Sequence, residues 1–163
     1  MKKYILAIFL IAIIGITCFI FSNSLKTTEE TYKDSDSVVD MVKPIVGETD
    51  KKDSYTIDFL VRKGAHIIEF FALGFSVAAF MFFISEAYKK CLYGWGMFYV
   101  LTVGVADEYI QSFNGRTSSV EDVVIDFSGA ACGIVLAIIV YLVYKLIKFK
   151  KIKNFGGIKN ETN

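Results

Sequence analysis

Four long apolar blocks separated by polar segments dominate the pattern of this chain. An apolar run of roughly 18 residues or more is long enough to cross a bilayer as a helix. The third block reaches this length only if it continues past Asp107 and Glu108 to about Ile110. We therefore predict an all-α, polytopic membrane protein with four transmembrane helices. The blocks are Tyr4–Phe21, Ile67–Ser85, Leu92–Ala106 and Val123–Ile147.

The composition supports a membrane protein and excludes other classes. Of the 163 residues, 54% are hydrophobic and the mean hydropathy is +0.48, above the roughly 45–50% apolar content of soluble domains. The net charge of +1 gives no support for nucleic-acid binding. We predict one membrane domain over residues 1–148 and a disordered, basic cytoplasmic tail over residues 149–163.

The first apolar block resembles a signal peptide in one respect, because Lys2 and Lys3 precede it. However, its 18 uncharged residues exceed the roughly 7–15 residues of a signal-peptide core, and no small-residue cleavage pattern follows. We expect an uncleaved first helix.

The lysines predict the orientation in the membrane. Short cytoplasmic loops carry an excess of basic residues, and four spans place both termini and the loop between spans two and three on one side. We therefore predict N-in/C-in topology with a longer extracellular loop at 23–62, whose first part is either a short amphipathic helix or a solvated loop. The ten lysines on the inner side are Lys2, Lys3, Lys89, Lys90, Lys145, Lys148, Lys150, Lys151, Lys153 and Lys159.

Three groups of ionisable and polar residues lie at the outer ends of these blocks. Charged side chains inside a membrane are costly and usually mark a functional site. Residues three or four apart share a helix face, so these side chains can meet in one pocket at head-group depth. The groups are Lys63, His66 and Glu69; Asp107, Glu108 and Gln111; and Arg116, Asp122 and Asp126.

These groups also resemble the motifs of a known family. Residues 62–70, RKGAHIIEF, and residues 107–116, DEYIQSFNGR, are similar to two signatures of the VanZ-like family, and Asp122, Asp126, Gly129 and Gly133 follow the spacing of a third. Phe21-Ser22-Asn23-Ser24 resembles the F-S-x-Q that usually ends the first helix, with Ser24 in place of glutamine. The resemblance covers residues from about 4 to 145.

The chemistry of the predicted pocket is that of anion binding and proton transfer. His66, Glu69, Asp107 and Glu108 are candidate catalytic residues, since an imidazole titrates near neutral pH and burial raises carboxylate pKa values. The candidate ligand-binding residues are Lys63, Gln111, Arg116, Asp122 and Asp126. Among these, the guanidinium suits bidentate capture of phosphate or carboxylate.

Three interpretations of the pocket stay open. It modifies an anionic lipid or lipid-linked wall precursor, it binds such a head group or an acylated antibiotic without turnover, or its charges pair and hold helix ends together. Whether the chain is an enzyme is left undecided. His66, Glu69, Asp107 and Glu108 offer oxygen and nitrogen ligands suited to a divalent ion, but no compact ligand motif is present, and we expect no cofactor and no metal site.

The VanZ-like resemblance implies a cellular context. The family is named for a protein associated with resistance to the glycopeptide teicoplanin, so the resemblance implies the plasma membrane of a bacterium, Gram-positive by that association. The implied partners are membrane lipids and, further, a lipid-linked cell-wall precursor or a glycopeptide antibiotic. The resemblance supplies no reaction, and it implies no oligomeric state.

Overall fold

The computed structural model describes residues 2–31, 33, 51–116 and 118–158. Their four long helices are α1 (Lys2–Ser24), α2 (Lys51–Tyr88), α3 (Tyr93–Phe113) and α4 (Val120–Ile158). Residues 28–31, in the first part of the loop after α1, also have a helical backbone. The described part of the chain contains no strand. The predicted all-α fold is confirmed.

Tight turns join the last three helices. At the end of α2 the backbone of Lys89 adopts a φ of 57°. At the end of α3 the Asn114 N–H donates to the carbonyl of Gln111 over 3.0 Å, and Gly115 follows with a φ of 73°. Glycine adopts positive φ without the steric penalty of a side chain. The chain therefore reverses there and α4 returns beside α3.

The helices alternate in direction, which gives the bundle two distinct ends. The Lys2 ammonium at the start of α1 donates to the carbonyl of Ala87 near the end of α2 over 3.3 Å. In α4, Lys145 Nζ lies 3.2 Å from Glu86 Oε1. We call this the lysine end, and the opposite end, where α1 and α3 finish and α4 begins, the site end.

Glycines allow α2 and α4 to form the most extensive helix–helix interface. A Cβ atom at Gly129 would lie 2.6 Å from the carbonyl oxygen of Ile67, and one at Gly133 would collide with the backbone of Phe71. Gly74 of α2 lies in the same way against Ala130. The spacing Gly129-x-x-x-Gly133 therefore has the packing role expected of small residues between membrane helices.

The buried core is small compared with the apolar surface. Its residues include Ile20, Phe70, Leu73 and Val100, while side chains such as that of Ile11 remain 71% exposed. Apolar surface in contact with water would be unfavourable. A lipid environment accounts for this surface.

Three helices, rather than the predicted four, are long and apolar enough to be candidate spans: Lys2–Ser24, Phe59–Tyr88 and Val120–Lys151. The third predicted span corresponds to α3, which has 21 residues. Its length is sufficient, but its sequence includes Asp107, Glu108 and three glycines, which lower its hydropathy. By length and composition, the described residues therefore contain three candidate spans where four were predicted.

Two further predictions need correction or fall outside the described residues. Helix α2 begins at Lys51, so the predicted loop at 23–62 is shorter than expected. The predicted amphipathic segment containing residues 38–42 lies outside the described residues. At the other terminus, α4 continues to Ile158, so residues 149–158 of the tail have a helical backbone instead of the expected disorder.

Candidate functional site

All nine predicted site residues lie at the site end of the bundle. The helical repeat places each group on one face, and the antiparallel arrangement brings the three groups together. They come from α2 (Lys63, His66, Glu69), the end of α3 (Asp107, Glu108, Gln111), the following turn (Arg116) and the start of α4 (Asp122, Asp126).

Asp107 lies at the base of the cluster and is fully buried. Its Oδ1 accepts a hydrogen bond from the hydroxyl of Ser24, and its Oδ2 accepts one from Nε2 of Gln111 over 2.8 Å. The predicted pairing of Asp107 and Gln111 on one helix face is therefore observed. Because each oxygen has a donor, the carboxylate is fixed in orientation.

His66 lies between two carboxylates. Its Nδ1 is 3.7 Å from Oδ2 of Asp107 and 3.9 Å from Oδ1 of Asp126. Both distances exceed the 2.7–3.2 Å of a normal N–H···O hydrogen bond. Within the described residues, this buried nitrogen has no hydrogen-bond partner.

Two further carboxylates have oxygens without partners. Asp126 is only 2% exposed, and its buried Oδ2 accepts no hydrogen bond from the described part of the chain. Glu69 accepts a 2.7 Å hydrogen bond from Nδ2 of Asn23 at Oε1, while its Oε2 has no partner there. Buried polar atoms are usually hydrogen-bonded, so these oxygens are unusual.

Other members of the cluster have contacts that hold the helix ends together. The Lys63 ammonium forms an ion pair with the Asp122 carboxylate, joining α2 to α4. Glu108 accepts a 3.2 Å hydrogen bond from the backbone N–H of Ser119 at Oε2. These two contacts are of the kind expected if the charged residues hold the helix ends together.

Arg116 contrasts with Lys63. Its side chain is half-buried, and the guanidinium has no hydrogen bond or ion pair with a described residue. Burial lowers the pKa of the Arg116 guanidinium, and the nearby Asp107 carboxylate opposes that shift. Arginine stays protonated in proteins, so a full positive charge is held at the site end.

The predicted single pocket is two cavities with a common wall. A cavity of about 280 Å³ lies between α1 and α2 and is lined by Asn23 and Glu69, among others. A second, of about 350 Å³, lies between α2 and α4 and is lined by Glu108 and Asp126, among others. Three cationic or imidazole side chains line both cavities: Arg62, His66 and Arg116.

Several contributors were absent from the predicted set. Ser24 and Asn23 of α1 bond to Asp107 and Glu69, and Arg62 lines both cavities. Asn114 donates to the backbone carbonyl of Ser24 over 3.3 Å. The resemblance of residues 21–24 to a motif gave a signal for Ser24, but its neutral hydroxyl gave no reason to expect a buried carboxylate partner.

One group of ligand atoms is close enough together to hold a metal ion. One ligand atom each from His66, Asp107 and Asp126 lies within 4.8 Å of the others. The divalent-ion set considered from the sequence contained His66 and Asp107 with Glu69 and Glu108. In the structure the group contains Asp126 in place of Glu69 and Glu108.

Comparison with known proteins identifies a family. The family model described as VanZ/LLP1 matches residues 7–144, which include every member of the predicted site. No curated protein matches the chain, and no solved structure does.

Proposed function

The chain belongs to the VanZ/LLP1 family, and on that premise we propose that it binds an anionic lipid head group at the site end of its bundle. The ligand class includes membrane phospholipids and lipid-linked cell-wall precursors. The family association with teicoplanin resistance supports the bacterial cell envelope as the location of this activity. We further propose that His66 and its neighbouring carboxylates transfer protons to or from the bound head group.

The guanidinium of Arg116, which has no ion pair with any residue that the structure describes, carries the proposal. A half-buried positive charge has lost part of its hydration, and among the described residues Arg116 gains no compensating ion pair. A guanidinium presents a planar fork of donors that matches phosphate and carboxylate. Because Arg116 lines both cavities, an anionic group entering either one reaches it.

The depth of the site supports a lipid ligand. Helix α3 has Trp95 (69% exposed) near one end and Phe113 (71% exposed) at the other, with Tyr93 and Tyr109 beside them. Aromatic side chains concentrate at the two membrane–water interfaces. At 1.5 Å per residue, α3 is about 31 Å long, which matches a hydrocarbon core of about 30 Å.

These features favour a fourth crossing by α3, despite its lower hydropathy. The helix packs against α1, α2 and α4, so its charged end is shielded by protein. With four crossings, the N-in/C-in orientation follows from the lysines, and the site end faces outward. Arg116 and both cavities then lie at the depth of the outer head groups.

The proton-transfer part of the proposal rests on His66. Its Nδ1 is 3.7 Å from the oriented carboxylate of Asp107, and its side chain lines both cavities. The imidazole therefore lies between that carboxylate and the cavities in which a ligand would bind. An acid or base held in this way is suited to proton transfer. Glu108 lines the second cavity and is the candidate partner for the same step.

A second candidate function is binding without turnover. The Lys63–Asp122 ion pair and the Ser24–Asp107 hydrogen bond favour it, because both occupy charged groups in contacts that fix helix ends. In that case the protein sequesters a head group or an acylated antibiotic. In both candidate functions Arg116 binds the head group. Only in the first do His66 and Glu108 transfer protons.

Lipid retention tests the binding step. Purified full-length protein would be incubated with vesicles containing phosphatidylglycerol, or with lipid-linked wall precursor, and the retained lipid measured by mass spectrometry. Arg116→Ala should reduce retention about tenfold or more, equivalent to the loss of about 1.4 kcal/mol. Lys90→Ala removes an exposed cation at the lysine end and serves as the control. Equal retention by both variants would contradict the proposal.

Inspection of the lipids after incubation separates the two candidates. Turnover predicts a new or depleted lipid species with the wild-type protein that is absent with Glu108→Gln and with His66→Gln. Retention of chemically unchanged lipid by the wild type supports the binding function instead.

A further inference from the structure

We propose that His66, Asp107 and Asp126 together bind one divalent first-row transition-metal ion, Zn²⁺ or Mn²⁺. The site would join α2, α3 and α4 at the wall of the second cavity. This inference deepens the proposed function by placing an ion beside the head-group site. It shares His66 and Asp107 with the proposed proton transfer but does not involve Arg116, which carries head-group binding, and its test needs no lipid.

The geometry is close to that of a metal site. His66 Nδ1 lies 3.7 Å from Asp107 Oδ2 and 3.9 Å from Asp126 Oδ1, and the three ligand atoms are within 4.8 Å of one another. Metal–ligand bonds to imidazole nitrogen and carboxylate oxygen are about 2.0–2.2 Å. Ligands on one ion are thus about 3–4 Å apart. Side-chain rotations that shorten the widest separation by about 1 Å would bring this group to bonding distance.

A cation between the two carboxylates would offset the cost of burying their charges. The side chains of Asp107 and Asp126 are 0% and 3% exposed, and Asp126 Oδ2 has no hydrogen-bond partner within the described residues. Buried charges are normally paired or coordinate metals. Lys63 on the facing helix pairs with Asp122 instead, and His66 Nδ1 also has no hydrogen-bond partner there. The unpartnered Nδ1 of His66 thus lies 3.9 Å from Oδ1 of the same Asp126 carboxylate whose Oδ2 is unpartnered.

The surroundings of Asp107 match those of a metal ligand. Carboxylates that coordinate metals are usually oriented by hydrogen bonds from neighbouring groups. Ser24 and Gln111 provide such bonds to the two oxygens of Asp107, and each oxygen retains a second lone pair. Glu69 and Glu108 lie outside the three-residue group, and their fixed oxygens bond to Asn23 and Ser119.

The ligand types select the class of ion. One imidazole and two carboxylates suit Zn²⁺, Mn²⁺ or Fe²⁺ better than the all-oxygen ions Ca²⁺ and Mg²⁺. Three protein ligands leave at least one coordination position open. His66 and Asp126 line the second cavity, so a phosphate oxygen or a water molecule could occupy that position.

Metal stoichiometry tests the site. The purified full-length protein would be stripped with chelator, loaded with Zn²⁺ or Mn²⁺, separated from free metal and analysed by mass spectrometry. The wild type should retain about one ion per chain, and Asp126→Asn and His66→Gln should retain none above the buffer level. Gln111→Ala should weaken binding about ten- to a hundredfold, since it removes an orienting hydrogen bond.

Glu121→Gln is the matched control, because Glu121 is an exposed acid in the first turn of α4 outside the three-residue group. It should bind metal as the wild type does. Metal should also raise the melting temperature of the wild type and of Glu121→Gln, but not that of the ligand variants. Cys18, Cys91 and Cys132 are retained in every variant, so thiol-bound Zn²⁺ would persist in Asp126→Asn.

The outcomes distinguish this inference from the proposed function. No metal above background in the wild type, or equal metal in Asp126→Asn, His66→Gln and the wild type, would overturn the site. Arg116→Ala should keep the metal while losing lipid, so each proposal can fail alone. If Asp126→Asn does not fold, His66→Gln and the Mn²⁺ electron paramagnetic resonance signal of the wild type still decide the question.

Discussion

The hydroxyl of Ser24 donates a hydrogen bond to the carboxylate of Asp107, although the two residues are 83 positions apart in the chain. Both side chains are fully buried. The contact ties the end of α1 to the end of α3 directly beneath His66. In the family motif that residues 21–24 resemble, glutamine usually stands where this chain has Ser24, and the shorter side chain still reaches the carboxylate.

Ser24→Ala should destabilise the protein by about 1–3 kcal/mol, because it leaves one oxygen of a buried carboxylate without its donor. The free energy of unfolding would be measured by SDS titration in mixed micelles. Ser128→Ala removes an exposed hydroxyl that donates to the local Ile125 carbonyl, and it should change stability by less than about 0.5 kcal/mol. Equal effects of the two substitutions would contradict a structural role for the Ser24–Asp107 contact.

Gly133→Ala should destabilise the bundle by about 1–3 kcal/mol, the usual cost of overpacking a close contact. Its Cβ would collide with the backbone of Phe71, which forces α2 and α4 apart. Gly15→Ala is the control, because the added Cβ would meet no atom within 4 Å apart from its chain neighbours and the nearby backbone of α1. Alanine there should stabilise α1 by about 0.5–1 kcal/mol. The same SDS titration measures both. Destabilisation by neither variant would show that the α2–α4 interface tolerates separation.

The Lys63–Asp122 pair should show a coupling free energy of about 0.5–3 kcal/mol in a double-mutant cycle of alanine variants. Its side chains are only 24% and 17% exposed, so water screens the pair weakly. The Lys145–Glu86 pair at the lysine end is 54% and 33% exposed and should couple by at most about 1 kcal/mol. Stronger coupling at the lysine end would contradict this assignment.

Ser118→Cys should react from outside intact cells with a membrane-impermeant thiol reagent, because residue 118 is exposed at the site end. Cys91 is exposed in the turn between α2 and α3 at the lysine end, and it should react only after lysis. The native cysteine thus serves as an internal control. Labelling in the opposite order would overturn the proposed N-in/C-in topology.

Glu108→Gln and Arg116→Ala should abolish any change in teicoplanin susceptibility that expression of the wild-type protein produces, at equal membrane abundance. Glutamine preserves the acceptor for the Ser119 N–H but lacks the charge. Expression of Lys90→Ala should match the wild type. If both site variants change teicoplanin susceptibility as much as the wild type does, the charged cluster serves only to stabilise the fold.

The sequence by itself determined the helical class, the membrane environment and the end of the bundle at which the charges gather. Apolar block length predicts spanning helices because lipid leaves no other way to satisfy backbone groups. The spacing of His66 and Glu69, and of Asp107 and Gln111, follows from the helical repeat. Hydropathy was a weaker guide to α3. Its buried carboxylates and its glycines make this helix less apolar than a helix that faces lipid on all sides.

Only the tertiary structure decided which of these side chains contact one another. Lys63 pairs with Asp122, while Arg116 has no ion pair within the described part of the chain. Ser24 reaches Asp107, and Asp126 joins His66 and Asp107 in the group to which Glu69 and Glu108 were expected to belong. These choices depend on the rotation and separation of helices set by Gly129 and Gly133. Helical periodicity places a side chain on a face, but pairing across helices depends on packing distances of a few ångströms, which a linear pattern does not contain.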